Sequence, residues 1–181
     1  MKKIKIKNLA LSALLTAVIA VTAWVSVPTP LGVNLAFTIF GVSIAGFLLG
    51  VKGALAATVT YIALGAAGLP IFSFFSGGAG VLLGPSGGFI WGFLAVAILC
   101  GLAKNIEKSA LKYLLMTLSV IICHAAGVIQ YSIVSGNGII VSFISVSLPF
   151  LLKDIIIVFL ARIIAKKKKY KEEKPSFLFL S

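Results

Sequence analysis

Charge is scarce in this chain, and what there is carries mostly one sign. Of 181 residues only 11% are charged, with 16 Lys or Arg against 4 Asp or Glu and a net charge of +12. With 60% hydrophobic residues and a mean hydropathy of +1.17, there is too little polar side chain to cover a water-soluble globule. The positive charge does not signal nucleic-acid binding, because the basic residues stand at the two ends and in two short breaks instead of spreading over a face. The two cysteines, Cys100 and Cys123, lie inside apolar runs, so buried thiols are expected and not a disulfide framework. A phosphate-binding loop is missing too. The stretch "GVLLGPSGGFIWGF" (80–93) has glycine at every fourth position, but a P-loop needs a lysine after its last glycine and Pro85 follows Gly84. No such motif occurs elsewhere, so the chain has no visible ATPase.

What is present is a series of long apolar runs. They divide into six spans at 9–27, 33–50, 54–70, 86–103, 113–134 and 141–165, the last interrupted near Pro149. Several are near the minimum needed to cross a hydrocarbon core about 30 Å thick. This predicts an all-α membrane protein, a six-transmembrane-helix bundle. The lysines supply an independent check. If residues 1–8 are cytoplasmic, then so are the break at Lys52, the loop "KNIEKSALK" (104–112) and the chain from Arg162 onward, and these stretches hold every basic residue except Lys153. The outer loops near 28–32, 68–85 and 135–140 hold none. By the positive-inside rule both termini are cytoplasmic and the number of spans is even. The expected organisation is a basic N-terminus (1–8), a membrane domain (9–165) and a basic tail (166–181). The first apolar run is longer than the core of a usual secretion signal, so a retained helix is expected and not a cleaved leader.

Small residues mark packing faces. Ala10, Ala13, Ala17 and Ala20 lie on one side of the first helix, and Gly88, Gly92 and Ala95 form a ridge down the fourth. In lipid, close approach through small residues is what lets helices associate tightly, either within the bundle or with a partner. Gly84 is expected as the N-cap of the fourth helix and Pro85 as its first residue. The preceding stretch "GLPIFSFFSGGAGVLLG", rich in glycine and aromatics and free of charge, reads as a structured outer loop lining a pocket.

Two constellations could carry chemistry. "GPSG" (84–87) resembles the Gly-x-Ser-Gly of rhomboid-type intramembrane proteases, with His124, the chain's single histidine, as partner. At 1.5 Å per residue Ser86 and His124 should differ in depth by roughly 15 Å, which argues against a dyad and leaves His124 bonded to a helix carbonyl. Asp154 is the sharper position. A carboxylate within a span is costly and is a functional candidate by default, its structural alternative being a pair with Lys153 or a polar neighbour. It could accept polar N–H groups in a pocket walled by Phe72, Phe74, Phe75 and Phe89.

The stretch "YIALGAAGLPIFSFFSGGAGVLLGPSGGFIWGF", Tyr61 to Phe93, resembles the signature of the BioY family, the biotin-binding S subunits of energy-coupling factor (ECF) vitamin transporters. The likeness extends to "AGFLLG" (45–50) and "PFLLKD" (149–154). It implies six helices, cytoplasmic termini, an outward-facing vitamin pocket and ATP hydrolysis by partner subunits, with no cofactor and no catalysis by this chain. It further implies ligand contacts from Thr38, Tyr61, the pair Gly77 and Gly78, Ser86, Lys153 and Asp154, and docking of the Ala10–Ala20 face on the transmembrane coupling subunit. Departures accompany it. Ala36-Phe37-Thr38 stands where the family usually has Thr-Leu-Gln, Ser86 where it has threonine, and Ile157 where it places a lysine. Without that lysine a vitamin carboxylate lacks its natural counter-ion. Lys153 is the nearest substitute, although adjacent helix residues point about 100° apart. Biotin is the expected ligand, with lipoate, a serine protease and a self-sufficient oligomeric carrier as the alternatives.

Overall fold

The structure is a computed structural model that describes residues 2–30 and 33–173. Helix α1 (Lys2–Trp24) leads into a two-residue antiparallel hairpin, β1 (Ser26–Val27) with β2 (Leu35–Ala36), in which Ser26 faces Ala36. Then follow α2 (Thr38–Ala66), one 3-10 turn (Ser73–Phe75), α3 (Ala79–Leu83), α4 (Gly87–Ala103), α5 (Ser109–Ser135), α6 (Ile139–Val146) and α7 (Leu148–Glu173). The helical expectation holds, and the hairpin is an element that the apolar run at 33–50 concealed. Helix α1 starts ahead of the expected apolar boundary because "KKIKIKN" contains no helix breaker.

Helix α2 takes in two of the expected spans. By length and composition Thr38–Ala66 passes as one membrane-crossing helix, as does Ser109–Ser135, with Ile139–Val146 and Leu148–Lys167 forming a bent third. A straight rod is nevertheless excluded. Thr38 and Tyr61 line the same cavity, whereas 23 residues of unbroken helix would hold them about 35 Å apart. The chain reverses at Gly50, whose φ of 73° and ψ of −176° are open to glycine. The break falls there and not at Lys52, where the charge alone placed it. Both halves of α2 then pack on α1, Gly41 against Ile19 and Ala57 accepting a hydrogen bond from Thr16 Oγ1 at 3.1 Å.

Helix α4 sits between α2 and α5, and glycine sets both contacts. A Cβ on Gly46 would stand 2.7 Å from that of Cys100, and one on Gly92 would stand 2.7 Å from Cys123 Cα. A Cβ on Gly88 would strike the Ala126 carbonyl. The predicted ridge is thus the α4–α5 seam, and Cys100 and Cys123 lie in it as buried free thiols.

Two boundaries differ from expectation. Helix α4 begins at Gly87 instead of Pro85, because the Gln130 side chain donates to the carbonyls of Leu82 and Gly84 at 2.8 and 2.9 Å and holds residues 84–87 in a separate turn. The last span bends by 53° at Ser147, two residues before Pro149. Proline tolerates the first turn of a helix, where no intrahelical N–H bond is lost, so it starts α7 and the break precedes it. Helix α7 runs unbroken across the expected domain boundary at 165/166, and residues 174–181 lie outside the described residues.

Candidate ligand-binding site

The two ends of α2, the start of α4, the middle of α5 and the start of α7 converge on one cavity beside the hairpin. Its apolar walls are Val33, Ile39, Phe89, Ile90, Phe93 and Phe150. It is narrow, a cavity of about 60 Å³. Apolar walls with a few fixed polar groups are the usual form of a small-molecule site.

The polar groups form a chain. Lys153 Nζ donates to the Ala36 carbonyl at 2.8 Å and lies 2.8 Å from Asp154 Oδ1. That second contact is one of charge without hydrogen-bond geometry, so Oδ1 is buried and receives no hydrogen bond. On the other side of the carboxylate, His124 Nε2 stands 3.1 Å from Oδ2, and His124 Nδ1 stands 2.9 Å from Ser147 Oγ. The Phe89 ring meets the His124 ring edge-on, with centroids 5.5 Å apart. Burying a lone carboxylate is expensive, and here a lysine and a histidine together make it tolerable.

Of the residues expected at a ligand site, Asp154, Lys153, Thr38, Tyr61, Ser86 and Phe89 line this cavity. Lys153 and Asp154 are brought together despite their divergent Cβ directions, because the lysine stem is long enough to pass the Phe37 ring, 5.3 Å from Nζ, and turn back. Five expected residues stand elsewhere. Phe72 is a buried plug, packed edge-on to Tyr61 at 5.4 Å and filling the space that the missing side chain of Gly65 leaves. Phe74 and Phe75 are exposed, Phe75 stacked on Trp24 at 5.2 Å. Gly77 permits close approach to the Leu69 carbonyl, and Gly78, with φ of 97°, donates its N–H to Gly65 at 2.7 Å. All five shape the loop and do not line the cavity.

Other residues surpass what the sequence suggested. His124 faces side chains and no carbonyl, and it shares a cavity wall with Ser86. Ser86 and His124 lie closer in depth than the roughly 15 Å expected because α5 runs on past the start of α4, so that Gly84 lies level with Gln130 and Phe89 with His124. No hydrogen bond links Ser86 to His124, both of whose ring nitrogens are engaged. Asn34 and Ser73, joined at 3.3 Å, complete the rim. The signal for His124 and Gln130 was their polarity within an apolar span. Ala10, Ala13 and Ala17 face outward on α1, whereas Ala20 is buried in the bundle.

The BioY family profile matches residues 1–173. The chain belongs to the BioY family. A protein named biotin transporter BioY from Thermotoga maritima is 36% identical over 174 residues, covering 90% of this chain and 96% of that one. A probable biotin transporter BioY from Pyrococcus horikoshii is 33% identical over 166 residues with the same two coverages, 90% and 96%. The crystal structure of the S-component for biotin from an ECF-type ABC transporter superposes with a TM-score of 0.84 at 28% identity, over 94% of each chain. This BioY-family chain is therefore a membrane transporter component with the S-component fold and is not an enzyme, which ends the serine-protease reading.

Proposed function

We propose that this chain is the membrane-embedded substrate-binding subunit of an ECF-type importer that captures biotin, with ATP hydrolysed by partner subunits. One observation carries the choice of ligand: a buried carboxylate oxygen that receives no aligned hydrogen bond, Asp154 Oδ1, stands 2.8 Å from the Lys153 ammonium. A cyclic urea presents an N–H and a C=O side by side, so one edge of it matches this acceptor and donor together. Lys153 then serves the ureido carbonyl and not, as the sequence suggested, the distant carboxylate. The apolar walls of Phe89, Phe93 and Phe150 take the ring and the aliphatic chain.

Six crossings with both termini cytoplasmic fit the lysine distribution together with the reversal at Gly50 and the single bent span of α6 and α7. The exposed Ala10, Ala13 and Ala17 are the docking surface for the coupling subunit, since small side chains let another helix approach closely.

Mass spectrometry of the small molecule that co-purifies in detergent tests the assignment. Biotin is expected, and recovery of lipoate or another vitamin overturns the ligand. Titration with biotin and its methyl ester sharpens it. Lys153 is the one cation among the described cavity residues, so the two should bind within about threefold of each other, and a much weaker ester would return Lys153 to the carboxylate.

A further inference from the structure

Ser147, His124 and Asp154 have the connectivity of a hydrolytic triad, serine to imidazole to carboxylate, at 2.9 and 3.1 Å. Access to the two ends is the reverse of a hydrolase. Ser147 is fully buried and does not line the ligand cavity; it sits with His124 on the wall of a separate apolar groove between α5 and α6. Its hydroxyl can reach no molecule in the cavity. Asp154 does line the cavity, and its buried Oδ1 meets only the Lys153 ammonium, without hydrogen-bond geometry. Orientation therefore passes from serine to histidine to aspartate, and the aspartate is the member that meets the ligand.

The protons follow from the donor inventory. An ionised carboxylate only accepts, so the proton between His124 and Asp154 resides on Nε2. In the neutral imidazole Nδ1 is then bare and accepts from the Ser147 hydroxyl. We infer that His124 is a positioning residue for ligand binding: held in one tautomer by Ser147, it occupies Asp154 Oδ2 and so presents Oδ1, beside Lys153, to the ligand. The Ser147 hydroxyl comes from the break between α6 and α7, so the bend itself fixes the carboxylate. This rests on the assignment of biotin to the cavity, although the tautomer stands independently of it.

Two measurements test the inference. In biotin titrations His124→Leu should weaken binding about tenfold or more, the scale of a hydrogen bond to a charged group. His124→Gln, which keeps an N–H near the position of Nε2, should recover most of that loss. In an Asp154→Asn background His124→Leu should cost no more than about twofold, because the group it positions has lost its charge. Equal losses in both backgrounds, or a glutamine no better than leucine, overturn the inference. The second measurement needs no ligand. His124 is the single histidine, so nitrogen NMR of tag-free protein reports its ring alone. The expected signature is a protonated Nε2 and a bare Nδ1, with the Nε2 signal moving in Asp154→Asn. The opposite tautomer, or indifference to Asp154→Asn, refutes it. Should the wild-type protein fail to bind biotin, the ligand assignment falls, and the nitrogen spectrum still decides the role of His124.

Discussion

The two sides of α5 are built on opposite terms. Toward α4 it packs through Gly88 and Gly92, with Cys123 and the Ala126 carbonyl so close that no Cβ fits between. Toward α6 and α7 it presents His124 to a serine and a carboxylate, and His124 lines both the narrow cavity and the apolar groove. The first side is specified by volume, since helices in lipid gain nothing from hydrophobic association and must fit closely. The second is specified by hydrogen bonds, since polar groups away from water must find partners. The lesson is that a rigid seam on one face lets the other carry a polar site without collapsing onto it.

Substitutions on the two sides should separate binding from stability. The largest effect is expected on the polar side. Asp154→Leu removes the acceptor beside Lys153, and a hydrogen bond to a charged group is worth about 1.5–3 kcal/mol of binding. Calorimetric titration should find no measurable biotin binding, and near-normal affinity would remove Asp154 from the site. On the seam, Gly92→Leu forces side-chain atoms into Cys123 at a cost of about 1–3 kcal/mol of stability. Thermal unfolding in detergent should show the loss, while the fraction that remains folded binds biotin normally. A drop in affinity at unchanged stability would break the distinction between the two sides.

Smaller changes probe the boundary between them. Gln130→Met frees the Leu82 and Gly84 carbonyls, two hydrogen bonds of about 0.5–1.5 kcal/mol each. Hydrogen exchange should rise across 79–87 more than in the body of α4. The smallest effect is expected at Phe74, an exposed side chain outside the cavity. Phe74→Ala should alter biotin affinity by less than about 0.5 kcal/mol, and a larger loss would return the aromatic loop to the site.

Much of the fold was legible in the sequence because lipid imposes simple rules. Apolar runs mark helices, lysines mark ends, and glycines at spacings of three and four mark seams; the α4–α5 contact at Gly88 and Gly92 is the clearest case. Boundaries were less legible. Gly50 and Ser147, and not the more conspicuous Lys52 and Pro149, are where the chain turns, since a turn depends on which backbone groups find partners across the bundle. The site was half legible. The cavity takes in Asp154, conspicuous as an intramembrane charge, and Ser86 and Tyr61, to which the family likeness pointed, but not the loop aromatics Phe72, Phe74 and Phe75. Phe72 is consumed by the gap over Gly65 and Phe75 by Trp24.

By itself the sequence determined the membrane environment, the helical class, the family and the single carboxylate that a span must justify. These follow from composition and local order, which need no knowledge of neighbours. Only the tertiary structure decided that Lys153 turns back onto Asp154, that His124 belongs to the polar chain instead of the packing, and that Phe72 plugs the wall. Each is a contact between residues far apart in sequence or a choice of side-chain direction. Such choices are fixed by the competing demands of many helices for the same few ångströms of space.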